Sequence, residues 1–215
     1  MTNSEILSHI DHTILKADAK WEDIARICEE AQTYHTASVC IPSYYVARAK
    51  KAYPARNVCT VIGFPLGYQP ADIKAAETAR AVSDGADEID MVINISALKN
   101  REDSIVLEEI QAVRRACEAQ ILKVIIETCY LTEDEKIRCC KLVTEGGADY
   151  IKTSTGFGSS GAKLEDIALF RSHIGEDVKI KAAGGIRTRE QMEAFLDAGC
   201  DRIGSSAANI LFDGA

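Results

Sequence analysis

Short apolar runs alternate along the chain with longer stretches in which apolar residues recur at helical spacing. Eight short runs predict strands, at residues 9–14, 37–41, 57–62, 88–93, 122–126, 150–153, 178–182 and 201–204. Each is followed by a predicted helix, at residues 21–34, from about 43, 71–84, 104–117, 133–145, 164–173, 189–198 and from about 206. The chain is therefore predicted to repeat one strand–helix unit eight times.

The eight predicted strands are continuously apolar, which is typical of parallel strands buried on both faces. Eight units without a break in composition favour an α/β fold with a single (β/α)8 TIM barrel, as one domain over residues 1–215. A doubly wound Rossmann sheet is the alternative, but it would need Gly-x-Gly-x-x-Gly after the first strand, where none stands. Gly85, Gly146, Gly147 and Gly199 follow predicted helices, where a left-handed C-cap favours glycine.

Composition narrows the class of protein further. Apolar residues make up 47% and charged residues 27% of 215, which is typical of a folded soluble domain. The net charge of −8 without a run of Lys or Arg argues against a nucleic-acid partner. No apolar stretch is long enough to cross a membrane, and the first residues do not form a signal peptide. The eight cysteines include no Cys-x-x-Cys pair, so we expect free thiols in a reducing cytoplasm.

Charged residues inside apolar strands predict the chemistry, because an unpaired buried charge is costly. Lys152 ends the sixth predicted strand and Lys181 lies in the seventh, so neighbouring strands bring them together at the top of a barrel. A nearby cation and burial favour the neutral amine, which can attack a carbonyl. Asp90 in the fourth strand is expected to relay protons through water. Lys123 is expected to be structural, as a partner of Glu127 or Asp90.

Glycine-bearing loops after the last two strands predict a phosphate site. Loops in these positions often bind phosphate at the N-terminus of a short helix, and glycines let backbone amides approach the oxygens. The residues concerned are Gly184, Gly185, Gly204, Ser205 and Ser206, of which the serines supply hydroxyl donors and are expected to cap the last helix.

The first strand and the spacing of possible metal ligands give two weaker indications. Asp11 and Thr13, at the end of the first strand, either orient a substrate hydroxyl or form a structural cluster. No His, Cys or Asp cluster has metal-ligand spacing, so no metal is expected.

Seven phrases in order give the chain a family resemblance. They are Asp-His-Thr from 11, Ala-Ser-Val-Cys from 37, Val-Ile-Gly-Phe-Pro-Leu-Gly from 61, Asp-Glu-Ile-Asp-Met-Val-Ile-Asn from 87, Lys-Val-Ile-Ile-Glu-Thr from 123, Ile-Lys-Thr-Ser-Thr-Gly from 151 and Lys-Ala-Ala-Gly-Gly-Ile-Arg-Thr from 181. Over residues 10–211 the chain resembles the deoxyribose-phosphate aldolases. The resemblance implies a class I aldolase that cleaves 2-deoxy-D-ribose 5-phosphate to D-glyceraldehyde 3-phosphate and acetaldehyde in deoxyribose phosphate catabolism.

The same resemblance implies roles for individual residues. Lys152 falls on the Schiff-base lysine, Lys181 on the second lysine and Asp90 on the proton-relay aspartate. It adds Gly156 to the phosphate loops, and it implies no metal or organic cofactor, a small sugar phosphate as the substrate, and a homodimer or homotetramer. Phe157 stands where some members have lysine. The chain ends without the tyrosine-bearing tail of some members, so proton transfer is expected to depend on Asp90, Lys181 and water.

Two other functions stay open on the residues alone. A phosphate-binding barrel isomerase or synthase would keep the glycine loops but form no covalent intermediate. A non-catalytic barrel would bind a sugar phosphate without turning it over, although the set of two lysines and an aspartate argues against it.

Overall fold

Eight parallel strands close into a barrel in chain order, with the last strand paired to the first. The computed structural model describes residues 1–117 and 119–213, so the chain end at residues 214–215 lies outside the described part. The strands are β1 Ile10–Thr13, β2 Ser38–Ile41, β3 Val58–Ile62, β4 Glu88–Val92, β5 Ile121–Ile125, β6 Tyr150–Lys152, β7 Lys179–Ala183 and β8 Arg202–Ser205. The predicted (β/α)8 barrel is confirmed, and each strand end lies within one residue of its predicted position.

Helices surround the barrel between the strands. They are α1 Asn3–Leu7, α2 Trp21–Thr33, α3 Val46–Ala52, α4 Ala71–Ser83, α5 Ile95–Lys99, α6 Asp103–Ala116, α7 Glu133–Glu145, α8 Leu164–His173 and α9 Arg189–Asp197. No helix within residues 1–117 and 119–213 is long and apolar enough to cross a membrane.

Two short helices were not predicted, because five residues are too few to show a helical period. α1 begins with a capping box between Thr2 and Glu5, and the Asn94 side chain caps α5. The helix expected from about residue 206 is a 3₁₀ turn at Ala208–Leu211, and its N-cap position is Ala207 without a side-chain cap. The expectation that Ser205 and Ser206 cap this helix is therefore wrong.

The strands alternate between an apolar outer face and a polar inner face. Outward residues such as Ile89, Met91 and Ile180 are buried in the core beneath the helices. The intervening residues contact one another across the barrel: Asp11, Glu88, Asp90, Lys123, Lys152, Lys181 and Arg202. The period of two along each strand therefore collects the in-strand charges inside the barrel.

Candidate active site

Lys152, Lys181 and Asp90 come together as the sequence predicts. Lys152 is the last residue of β6, and its Cα pairs with that of Lys181 on β7. Asp90 lies in the middle of β4 and reaches across the barrel interior. The Nζ atoms of both lysines lie 2.7 Å from the same Asp90 Oδ2. One carboxylate oxygen therefore joins the two amines.

A second layer of charges continues this network deeper in the barrel. Lys123 Nζ lies 2.7 Å from Asp90 Oδ1 and 2.6 Å from Glu88 Oε2. Asp90 is thus the partner of Lys123, whereas the suggested pairing with Glu127 is not found among its contacts. Arg202 contacts Glu88 at 3.2 Å and also Asp11, which in turn contacts Lys181. The hydrogen-bonded network so described contains four cations and three carboxylates.

Burial opposes the charge on Asp11, Asp90, Lys123, Lys181 and Arg202, but the opposite charges around these five groups outweigh burial. They raise the pKa of Lys123 and Lys181 above the ordinary lysine value. They hold the pKa of Asp11 and Asp90 below the ordinary aspartate range. These four groups are therefore charged at neutral pH.

Lys152 differs from the other cations in its contacts. Lys123, Lys181 and Arg202 each contact at least two carboxylates, whereas within the described residues Lys152 Nζ contacts Asp90 alone. It also lines the pocket at the C-terminal ends of the strands. Lys152 is therefore the amine of this network with the fewest carboxylate contacts and the one that lies at the pocket.

The pocket above Lys152 contains the predicted phosphate residues. Its lining comprises Thr13, Leu15, Lys152, Thr155, Gly156, Ala183, Gly184, Gly185, Ile186, Arg187, Gly204, Ser205 and Ser206. Asp11 is not part of this lining, because it is fully buried below the pocket, where it contacts Lys181, Arg202 and Ser38. The structure thus brings Thr13 to the pocket and Asp11 to the underside of the lysines.

Backbone amides give the pocket its capacity for an anion. Within the described part of the chain, the amides of Gly156, Gly185 and Ser206 donate to no protein acceptor. Gly156 and Gly185 have φ angles of +88° and +79°, in the left-handed region that favours glycine. Ser205 contributes differently, because its hydroxyl donates to the Ile186 carbonyl at 2.8 Å and accepts from the Ala207 amide at 3.0 Å.

The loop after β6 carries a glycine pattern that the sequence analysis did not use. Residues 156–161 read Gly-Phe-Gly-Ser-Ser-Gly, which has the spacing Gly-x-Gly-x-x-Gly but follows the sixth strand. A Cβ atom on Gly161 would lie 2.0 Å from the carbonyl oxygen of Gly184. Only glycine lets the sixth loop pack directly on the seventh, so the two pocket loops support each other.

Glu127 is a further residue of the site that the sequence analysis did not assign. It follows β5 in a left-handed conformation, with a φ of +53°, and is buried. Its carboxylate accepts hydrogen bonds from the hydroxyl and the amide of Thr155, and the Thr155 hydroxyl accepts from the Phe157 amide at 3.0 Å. Burial raises the pKa of Glu127 more than these hydrogen bonds lower it. Glu127 thereby anchors the start of the sixth loop beside Lys152.

Among the side chains that the structure describes, two groups have donor atoms close enough together for a metal ion. They are Cys40, Cys59 and Asp90, and Asp11, Cys59 and Glu88. Lys123 Nζ lies 3.3 Å from Cys59 Sγ and within hydrogen-bond distance of Asp90 and Glu88. The ammonium group therefore already supplies the positive charge at the position where these two groups meet.

Comparison with known proteins gives concordant matches over nearly the whole chain. A model of the DeoC/LacD family aldolases matches residues 6–208. A deoxyribose-phosphate aldolase of Clostridium botulinum (strain Alaska E43) is 59% identical, covering 100% of this chain and 97% of the relative. One of Clostridioides difficile (strain 630) is 52% identical, covering 94% and 93%. The tetrameric structure of deoxyribose phosphate aldolase from Aeropyrum pernix superposes with a TM-score of 0.90 at 28% identity, covering 99% of this chain and 91% of that one.

Proposed function

Because the chain belongs to the DeoC/LacD family of aldolases, we propose that it cleaves 2-deoxy-D-ribose 5-phosphate to D-glyceraldehyde 3-phosphate and acetaldehyde through a Schiff base on Lys152. The substrate follows from the name that relatives at 52% and 59% identity bear. The covalent route and the roles of the residues follow from the chemistry of the site.

The observation that carries the proposal is the charge count around Lys152. Three cations in the barrel balance three carboxylates, and the ammonium form of Lys152 is the fourth, unbalanced positive charge. Loss of its proton leaves a neutral network. Lys181 keeps its own charge, and the Asp90 carboxylate lies between the two amines. The neutral amine of Lys152 is the nucleophile that imine formation requires.

The reaction then proceeds with Lys152 as an electron sink. The amine adds to C1 of the open-chain aldehyde, and the adduct loses water to give an iminium. The proton leaves the C3 hydroxyl, and the C2–C3 electron pair moves to the iminium. D-glyceraldehyde 3-phosphate departs and leaves the enamine of acetaldehyde. Protonation at C2 and addition of water release acetaldehyde and restore the amine. Asp90, in contact with both amines, is placed to pass protons between them and water.

Phosphate binding orients the sugar above the amine. The free amides of Gly156, Gly185 and Ser206 point to an anion, and Arg187 adds a cation at the rim of the same pocket. Phe157 is 57% exposed beside this pocket and supplies no charge. We therefore assign phosphate recognition mainly to the backbone, with Gly184 and Gly204 allowing the close approach.

The oligomeric state and the location in the cell are part of the same proposal. We propose a homo-oligomer, a dimer or a tetramer, acting in the cytoplasm on a small sugar phosphate without a metal or organic cofactor. The tetrameric relative from Aeropyrum pernix supports an oligomer.

Reductive trapping tests the covalent route directly. The protein is treated with acetaldehyde and sodium borohydride, and the modified lysine is located by peptide mapping. The expected product is an ethyl group on Lys152, because borohydride reduces the imine to a secondary amine. Lys74 is the internal control, since it is buried outside the pocket and should stay unmodified. A folded protein without an adduct would contradict the covalent route and favour the isomerase or synthase, and an adduct without cleavage of the sugar phosphate would contradict the assigned substrate.

A further inference from the structure

We propose that Lys123 and Glu88, below the pocket, are positioning residues that set the proton occupancy of Lys152 through the charge balance of the barrel interior. The inference rests on the proposed function, because it concerns the amine that forms the Schiff base. It assigns a kinetic role to two side chains that do not touch the substrate.

The contacts of Lys123 place it one layer below the chemistry. Its Cα pairs with that of Asp90 across β4 and β5, and its side chain is fully buried. Its Nζ contacts Asp90 at 2.7 Å and Glu88 at 2.6 Å, and Lys123 is not among the residues that line the pocket. Asp90 therefore separates Lys123 from Lys152, with one carboxylate oxygen toward each.

Glu88 lies deeper still and bridges two cations. It contacts Lys123 and Arg202, and it is 2% exposed. Neither Glu88 nor Lys123 can exchange its partner for water, because both lie in the closed interior. A change of charge at either position must therefore be compensated within the network, and Lys152 is the member that can gain or lose a proton at the pocket.

The count of charges gives the direction in which removal of Lys123 or Glu88 changes the proton occupancy of Lys152. Without the Lys123 cation, three carboxylates face three cations, one of which is protonated Lys152, so the network is neutral only while Lys152 keeps its proton. Without the Glu88 carboxylate, four cations face two carboxylates, so the proton on Lys152 leaves more readily. In the buried interior such charges are weakly screened, and a neighbouring charge shifts a titration by about 1–3 pH units.

Other titratable groups surround Lys152 and stay the same in every variant. Asp90 contacts the Lys152 amine, and Lys181 contacts the same Asp90 carboxylate. Glu127 lies beside Lys152 after β5. Further groups on the strands packed around it are Cys40, Cys59, Asp11 and Arg202. A hydrogen bond from Cys59 lowers the pKa of Cys40, and burial raises the pKa of Cys59. Because these groups are common to all variants, they cancel in the comparison.

The test is the pH profile of kcat/KM for deoxyribose 5-phosphate in four proteins: wild type, Lys123→Met, Glu88→Gln and the double variant. The acidic limb of Lys123→Met should move to higher pH by about one unit or more, and that of Glu88→Gln should move to lower pH by a similar amount. The double variant has three cations against two carboxylates, the same excess of one as wild type, so its limb should return to the wild-type position.

Opposite shifts of the acidic limb in the two single variants, and their cancellation in the double variant, distinguish a role in charge balance from a structural role. A purely structural role would lower activity in both single variants at all pH values and would make the double variant worse. Limbs that do not move, or that move in the same direction, would overturn the inference. If Lys123→Met does not fold, the shift in Glu88→Gln and its reversal in the double variant carry the same information.

Borohydride trapping of Lys152 in each variant distinguishes the two possible failures. If Lys152 is trapped but the acidic limb of the pH profile is the same in all variants, the role of Lys123 and Glu88 is overturned while the Schiff-base route stands. Absence of trapping in wild type would overturn the proposed function itself, and the charge-balance inference with it.

Discussion

Within the described part of the chain, buried lysines form two sets, and the sets differ in the way their charge is compensated. Between α4 and α6, Lys74 is fully buried and contacts Glu109 at 2.6 Å and the Val92 carbonyl at 2.8 Å. The second Glu109 oxygen accepts from the Asn94 amide at 2.6 Å. This set contains one cation and one carboxylate. The barrel set, in contrast, contains four cations and three carboxylates.

The pKa directions in the two sets are opposite. Burial lowers the pKa of Lys74 and raises that of Glu109, because a single opposite charge does not outweigh the loss of solvation. In the barrel, the pKa of Lys181 is raised and that of Asp90 is lowered, because several opposite charges together outweigh burial. Burial alone therefore does not mark a catalytic lysine. The proposed nucleophile Lys152 differs from Lys74 in that it lies beside an open pocket in a network with one cation in excess.

Removal of Lys152 gives the largest expected effect. Lys152→Leu should lower kcat by about 10⁴-fold or more, because the nucleophile is lost. The fold should survive, since three cations then balance three carboxylates. The check is steady-state cleavage of deoxyribose 5-phosphate together with a thermal melt. Residual turnover within about tenfold of wild type would show that the chemistry does not depend on Lys152.

Removal of Lys74 should have the opposite pattern, a large loss of stability with little loss of activity. Lys74→Met leaves the buried Glu109 carboxylate without its cation, which should lower the free energy of unfolding by about 3–5 kcal/mol. Below the melting temperature, kcat/KM should stay near the wild-type value. The charge-free variant Lys74→Met/Glu109→Leu should recover most of the stability. A large drop in kcat of the folded single variant would contradict the distinction between the two sets.

The pH dependence of stability should separate the two sets by sign. The pKa of Asp11 is lowered by folding, so the advantage of wild type over Asp11→Asn is full above about pH 4 and falls as the pH drops. The pKa of Glu109 is raised, so the advantage of wild type over Glu109→Gln is full below about pH 4 and falls as the pH rises. Each slope is at most about 1.4 kcal/mol per pH unit. Urea denaturation at pH values below and above about pH 4 measures both slopes, and two slopes of equal sign would refute the contrast.

The barrel and the grouping of Lys152, Lys181 and Asp90 could be predicted from the sequence for a simple physical reason. Parallel strands buried on both faces give continuous apolar runs, and a charge inside such a run is conspicuous. Lys152, Lys181 and Asp90 are charges of this kind. Their assembly follows from strand order, because the C-terminal ends of neighbouring strands meet at one end of the barrel.

The contacts of the charged residues that are buried away from the pocket could not be predicted in the same way. The alternation along β1 places Asp11 and Thr13 on the same face, but their heights relative to other strands depend on the stagger of the closed barrel. Asp11 consequently lies under the lysines and Thr13 at the pocket. Lys74 was missed for a related reason: a lysine on a helix is expected in solvent, and only the packing of α4 on α6 buries it.

The row of paired residues Lys152, Lys181 and Arg202 on β6, β7 and β8 has a consequence for how such an enzyme can change. Deleting one residue before Lys181 within β7 would turn Ile180 into the barrel and the lysine out of it, because side chains alternate with a period of two. The connections that hold Gly156, Gly185 and Ser206 carry no such constraint of register. Insertions and deletions in those connections can therefore alter the shape of the pocket, while Lys152 keeps its position in the sheet.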